Sequence, residues 1–73
     1  MKQSRENLKN ARRAAGLTQQ QVASCLRIED RYYKAIESGE RLGAIWIWDS
    51  LEDMLNTNQR VLREIHPYTK GSL

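Results

Sequence analysis

Helix-stopping residues recur along this chain before any apolar pattern runs far, and that interruption limits what the chain can fold into. Apolar residues repeat near 3.6, and no stretch alternates at period two long enough to make a strand. Gly16, Gly39, Asn56 and Pro67 punctuate the pattern. Glycine and asparagine take the left-handed conformation that ends a helix, and proline cannot continue the hydrogen-bond ladder. What remains is a string of helices of a few turns each, too short to be stable alone in water. They must bury their apolar stripes against one another. The expected fold is all-α, a compact bundle of four to five short helices forming one domain over residues 1–66, with a flexible tail over 67–73.

The pattern places the elements. Ser4 is expected to cap a first helix carrying Leu8, Ala11 and Ala15 on one face, ended by Gly16. Thr18 and Gln21 have the spacing of a capping box, opening a second helix with Val22, Ala23 and Leu26 inward. A break at Arg27-Ile28-Glu29 precedes a third helix, about Asp30 to Ser38, burying Tyr33 and Ile36 and stopped by Gly39. A fourth runs from about Ala44 to Leu55, with Ile45, Trp48, Leu51 and Leu55 as its inner stripe. Asn56 ends it, and Asn58 is expected to cap a fifth carrying Val61, Leu62 and Ile65.

Length and composition exclude much. A chain of 73 residues has no room for a separate catalytic domain and buries only about 60% of its unfolded surface. Apolar residues at 40% and charged residues at 29% describe a globular chain, not a disordered one. No apolar run approaches the ~20 residues that span a bilayer. The first residues lack the apolar core of a signal peptide, so a cytoplasmic location is expected. One cysteine (Cys25) and one histidine (His66) form neither an internal disulfide nor a zinc site. With no nucleophile–base pair and no glycine-rich phosphate loop, neither an enzyme nor a cofactor is expected.

Charge is unevenly spread. Residues 1–35 hold eight basic side chains against three acidic, and residues 36–73 hold four against six, within a net charge of +3. A basic half on a small domain suits a polyanionic partner. Two short helices joined by a tight turn, the second with basic and polar residues outward, make the helix-turn-helix pattern. A major groove about 12 Å wide admits one helix, and the preceding helix braces it.

The residues carrying a closer resemblance are Leu17-Thr18-Gln19, Val22-Ala23, Leu26 and Ile28. Ile36-Glu37-Ser38-Gly39-Glu40-Arg41 follows, beginning seven positions after Glu29. In this order and spacing, Leu8 to Leu55 resembles the Cro/phage-repressor type of helix-turn-helix domain, with a lambda-repressor-like fold, over about two-thirds of the chain. The resemblance implies a sequence-specific regulator of transcription that binds double-stranded DNA, a repressor of phage or mobile-element origin, with residues 30–38 in the major groove. It implies phosphate contact by the start of the second helix at Thr18 and Gln19. Asp30, Arg31, Lys34 and Ala35 would face the bases, with Tyr32 on a thymine methyl or a phosphate and Arg41 on the backbone. Arg31 suits a bidentate contact to guanine, while Asp30 would accept from cytosine or orient Arg31. Glu37 reads as a structural hydrogen-bond partner. Arg12-Arg13 reads as a solvated pair or an approach to the DNA backbone.

Three positions depart from the family pattern. Arg27 stands where glycine is usual, at a cost of about 1 kcal/mol if the turn needs positive φ. Glu29 replaces the usual serine or threonine cap, so Asp30 is expected to cap the helix. Leu42-Gly43 stands where relatives often have proline.

Surplus apolar side chains at Trp46, Ile47, Val61, Leu62 and Ile65 are expected to form a homodimer surface matching a palindromic operator. The alternative is an antitoxin or other protein-interaction module. Co-purification of a small toxin would distinguish it.

Overall fold

The computed structural model describes residues 3–67. Five helices follow in order, α1 (Glu6–Ala14), α2 (Gln19–Leu26), α3 (Asp30–Ser38), α4 (Ile45–Leu55) and α5 (Gln59–Arg63). The fold is the expected all-α bundle, closed by a two-residue antiparallel pairing of β1 (Gln3–Ser4) with β2 (His66–Pro67). Gln3 lies opposite Pro67 and Ser4 opposite His66. Pro67, the first residue of the expected tail, is thus paired, and residues 68–73 lie outside the described residues.

Local chemistry sets most boundaries. Thr18 and Gln21 form the capping box, with the Gln21 amide donating to Thr18 Oγ1 at 3.0 Å and the Thr18 amide donating to Gln21 Oε1 at 2.8 Å. Gly16 (φ 76°) follows α1, and Gly39 (φ 90°) and Asn56 (φ 53°) end α3 and α4. The Asn58 side chain accepts the Arg60 amide and caps α5. Two starts differ from expectation. Arg5, not Ser4, is the N-cap of α1 and makes no side-chain cap bond. Its amide is committed to the Glu37 carbonyl at 2.8 Å, Ser4 belongs to β1, and the Ser4 hydroxyl donates to the Glu6 carboxylate. Asp30 is the first residue of α3 rather than its cap; that position falls to Glu29, again without a side-chain cap bond.

α1 packs on α5, α2 on α3, and α4 on α5. The core comprises Leu8, Val22, Ala23, Leu26, Tyr33, Ile36, Ile47, Trp48, Leu51, Leu55 and Leu62, flanked by half-buried Ala11, Leu17 and Ile28. Two expectations are corrected here. Ile45 is 78% exposed and Ile47 fully buried. At about 100° per residue, Ile47 lies roughly 40° from Leu51 around the helix axis, but Ile45 lies roughly 120° away. Ala15, placed on the buried face of α1, is exposed because it lies beyond the last turn of that helix.

One side chain ties the ends of several elements together. Arg5 is 2% exposed. Its Nη1 donates to the Ile36 carbonyl at 2.6 Å and the Arg41 carbonyl at 3.0 Å, and its Nε donates to the Arg63 carbonyl at 3.0 Å. The guanidinium lies 5.2 Å from the centre of the Trp48 ring, within cation–π range. Ile36 and Arg63 sit in the last turns of α3 and α5, where unpaired carbonyls and the helix dipole favour a cation. Trp48 is fixed in turn by its indole N–H, which donates to the Leu42 carbonyl at 2.7 Å.

Replacing Arg5 by alanine leaves one buried and two partly buried carbonyls, from three segments, without their donor. Arg5→Ala is expected to lower unfolding free energy by about 2–4 kcal/mol. Arg5→Lys, a point donor without the planar fork, should recover less than half of that. Urea denaturation with an unchanged m-value is the check, and a loss under about 1 kcal/mol would contradict the role assigned to Arg5.

Candidate nucleic-acid interface

The helix pair α2–α3 is organised from behind by Glu37, which is 1% exposed. Glu37 Oε2 accepts from Arg12 Nε at 2.6 Å and Tyr33 Oη at 2.7 Å. Oε1 accepts from Gln19 Nε2 at 3.0 Å and Arg12 Nη2 at 3.4 Å. Donors on α1, α2 and α3 thus converge on one carboxylate. Arg12 Nη1 continues to the Leu17 carbonyl at 2.9 Å, tying in the segment before α2. Glu37 is therefore the structural hydrogen-bond partner the sequence suggested.

The environment fixes charge states. The Glu37 hydrogen bond holds the Arg12 guanidinium above its ordinary value against the opposing effect of burial. Burial first, and then the hydrogen bond to Glu37, push the Tyr33 phenol well above the usual tyrosine range. Arg12, expected as a solvated side chain or a DNA-backbone contact, is buried, and only Arg13 of the pair is exposed. Arg12 lies four residues after Leu8 and so shares its inward face.

Three inward residues of α3 (Tyr33, Ile36 and Glu37) leave the opposite side to solvent. Arg31 and Lys34 are exposed there, one turn apart, with Tyr32 and Ala35 half-buried. Lys34 Nζ lies 3.1 Å from Asp30 Oδ2, so Asp30 pairs with Lys34 rather than with Arg31. Arg41 is exposed beyond the end of α3 with a fixed backbone, its amide donating to the Ala35 carbonyl at 3.2 Å and its carbonyl held by Arg5. Thr18 is exposed, with its hydroxyl engaged in the capping box. Gln19 is half-buried, with its amide turned to Glu37.

α2 and α3 meet at Arg27, whose φ of 60° is left-handed. That conformation costs a non-glycine residue on the order of 1 kcal/mol. Ile28 secures the turn through its amide, which donates to the Ala23 carbonyl at 3.0 Å, and through its side chain, which packs against the core.

Sequence reasoning did not find Arg5 or the buried role of Arg12. The i+4 relation to Leu8 was a usable signal for Arg12. Arg5 offered none, since it precedes the first helix and its hydrogen-bond acceptors are backbone carbonyls. Among the described residues no cluster of three metal-binding side chains occurs, and no helix is long and apolar enough to cross a membrane.

A family model described as a helix-turn-helix domain matches residues 7–44, just over half of the chain. The matched span runs from the first turn of α1 to the N-cap of α4 and so encloses the Glu37 cluster and the α2–α3 pair. No curated protein and no solved structure matches.

The Tyr33 environment has a consequence for pH. An unperturbed tyrosine titrates near 10. With the folded-state value raised, the stability contributed by the Tyr33 proton is present below about pH 10 and is lost as pH rises above it, because the unfolded chain releases that proton first. Tyr33→Phe should be about 1–2 kcal/mol less stable at pH 7 for loss of the bond to a charged acceptor. Its deficit should shrink by up to about 1.4 kcal/mol per pH unit above 10. Urea midpoints of both proteins from pH 7 to 11 test this, and parallel curves would refute it.

Proposed function

Given that the chain belongs to the helix-turn-helix domain family, we propose that it is a sequence-specific regulator of transcription, a non-enzymatic, cytoplasmic protein that binds double-stranded DNA through α3. The observation that carries this reading is the division of α3. Its buried face is locked to α1 and α2 through Glu37, and its other face holds the exposed Arg31, which has no ion-pair partner among the described residues. A rigid helix presenting a free guanidinium is suited to a base edge in the major groove. The narrower assignment, a repressor of the Cro/phage-repressor type, rests on the spacing of Leu17-Thr18-Gln19, Val22-Ala23 and Ile36 to Arg41.

In this reading Arg31 pairs with guanine O6 and N7. Lys34, Tyr32 and Ala35 adjoin it along the groove. Arg41 grips the phosphate backbone beyond the end of α3, helped by its fixed main chain. Thr18 and Gln19 approach the backbone at the start of α2, where unpaired amides favour phosphate. The hydrogen bond from Gln19 to Glu37 lets the buried cluster set the position of that helix start.

A palindromic operator calls for two copies. Of the side chains expected to form the dimer surface, Ile47 and Leu62 are fully buried, while Trp46, Val61 and Ile65 remain exposed. Leu42 and Ile45, 63% and 78% exposed, lie four positions and one position before Trp46. We place the second copy against Leu42, Ile45 and Trp46. Three side chains fall short of the ~800 Å² per partner typical of a stable interface. Pairing is therefore weak in solution and becomes effective when DNA holds both copies side by side.

Selection from a randomised duplex pool at near-physiological salt, with Arg31→Ala run in parallel, tests the reading. Enrichment of a site whose preference relaxes at one base pair in Arg31→Ala, with a loss of about 10- to 100-fold on the preferred site, is expected. Weak, salt-sensitive binding without enrichment would overturn it and favour a protein partner. For the dimer, sedimentation should show a monomer at micromolar concentration and two copies on a palindromic duplex. Ile45→Asp should reduce cooperativity about tenfold while leaving half-site affinity intact, and unchanged cooperativity would remove this surface from the interface.

A further inference from the structure

Asp30 stands in the first turn of α3, where a carboxylate suits the helix dipole. It is not the cap of α3, because Glu29 occupies that position. Its carboxylate pairs with Lys34, with Oδ2 lying 3.1 Å from Nζ. Its other oxygen, Oδ1, is shut off from solvent and is the one buried side-chain polar atom without a hydrogen-bond partner among the described residues. One edge of the carboxylate is thus turned into the protein and the other is given to Lys34. A carboxylate held this way is poorly placed to accept from a base. Both side chains of the pair remain about half exposed, at 43% and 56%, and an ion pair of that exposure contributes little to stability.

We infer that Asp30 is a specificity-determining residue that acts through Lys34, serving as an internal substitute for phosphate. This rests on the reading of α3 as the DNA-facing helix. Nonspecific affinity comes from cations that neutralise phosphates and release counterions. Moving Lys34 from Asp30 to a phosphate exchanges one anion for another and leaves Asp30 facing the DNA unpaired, so little is gained. Arg31 has no such partner among the described residues and is available for a base contact. Asp30 therefore lowers binding to arbitrary sequence more than binding to a site that Arg31 reads, and the ratio between the two rises.

The test is a double-mutant cycle on the full chain. Affinity for a random-sequence duplex is measured by fluorescence anisotropy across a series of KCl concentrations, for the natural protein, Asp30→Asn, Lys34→Ala and the double variant. Thermal melts confirm that each is folded. With Lys34 present, Asp30→Asn should bind random duplex about fivefold more tightly near 0.15 M salt, with log K falling more steeply against log salt by about 0.9. With Lys34→Ala in place, the same substitution should gain less than twofold and leave the slope unchanged. On the duplex enriched by selection, Asp30→Asn should gain less than on random duplex, so that the specificity ratio falls severalfold. Equal gains in the two backgrounds would mean a general charge effect and would overturn the inference, as would an unchanged specificity ratio. If the natural protein binds no duplex at all, the DNA-binding reading and this inference fall together. If it binds and the cycle shows no coupling, this inference alone fails.

Discussion

The bond between the Glu37 carboxylate and the Arg12 guanidinium, 2.6 Å long and shut off from solvent, is the contact on which the arrangement of the first three helices depends. A buried charge without compensation is costly, and a buried pair is tolerated only when its remaining hydrogen-bonding positions are filled. Here Tyr33, Gln19 and the Leu17 carbonyl fill them. Any displacement of α1 from α3, or of the α2 start from either, would break a charged hydrogen bond in a low-dielectric setting. Apolar packing alone tolerates sliding, whereas this cluster specifies one geometry. The exposed side of α3 is presented at a fixed angle because its buried side is held in this way.

Arg5 extends the same logic to the rest of the molecule. A domain this small has few apolar side chains with which to fix five helices and a long connection. Among the described residues the Arg5 side chain donates to carbonyls, at the ends of α3 and α5 and in the segment after α3, and to no carboxylate. Burial and the nearby charge of Arg63 pull its guanidinium below the ordinary arginine range. Those carbonyls need a donor regardless, and one planar group with several N–H bonds supplies three segments at once. Holding Arg41 by its carbonyl is the link from this staple to the proposed interface.

Much of this was legible in the sequence. The stops at Gly16, Gly39 and Asn56, the Thr18–Gln21 box and the span 30–38 are local features, set by residues a few positions apart. The helix-turn-helix resemblance singled out Glu37 as structural, and it is. Its donors were less legible, because Arg12 carries a charge that suggests solvent while its spacing from Leu8 points inward. Ile45 and Ile47 both fit a loose helical repeat, and only their angle separates them, since only Ile47 lies within the arc around Leu51. Arg5 and the β1–β2 pairing were out of reach, because their partners are main-chain atoms tens of residues away that no side-chain pattern marks.

The separation of tasks along α3 has a further physical consequence. Tyr33, Ile36 and Glu37 carry its packing, whereas Arg31 and Lys34 are exposed. Exchanging exposed side chains alters stability only slightly, so the outward positions are free to vary in charge and shape while the helix keeps its angle. The left-handed Arg27 fits the same division. A residue strained by about 1 kcal/mol is sustained there because Ile28 and the Ala23 carbonyl hold the turn from the inside. The turn thus adds an exposed guanidinium just before α3 at a modest cost in stability, and the inner face of the helix pair does not depend on that side chain.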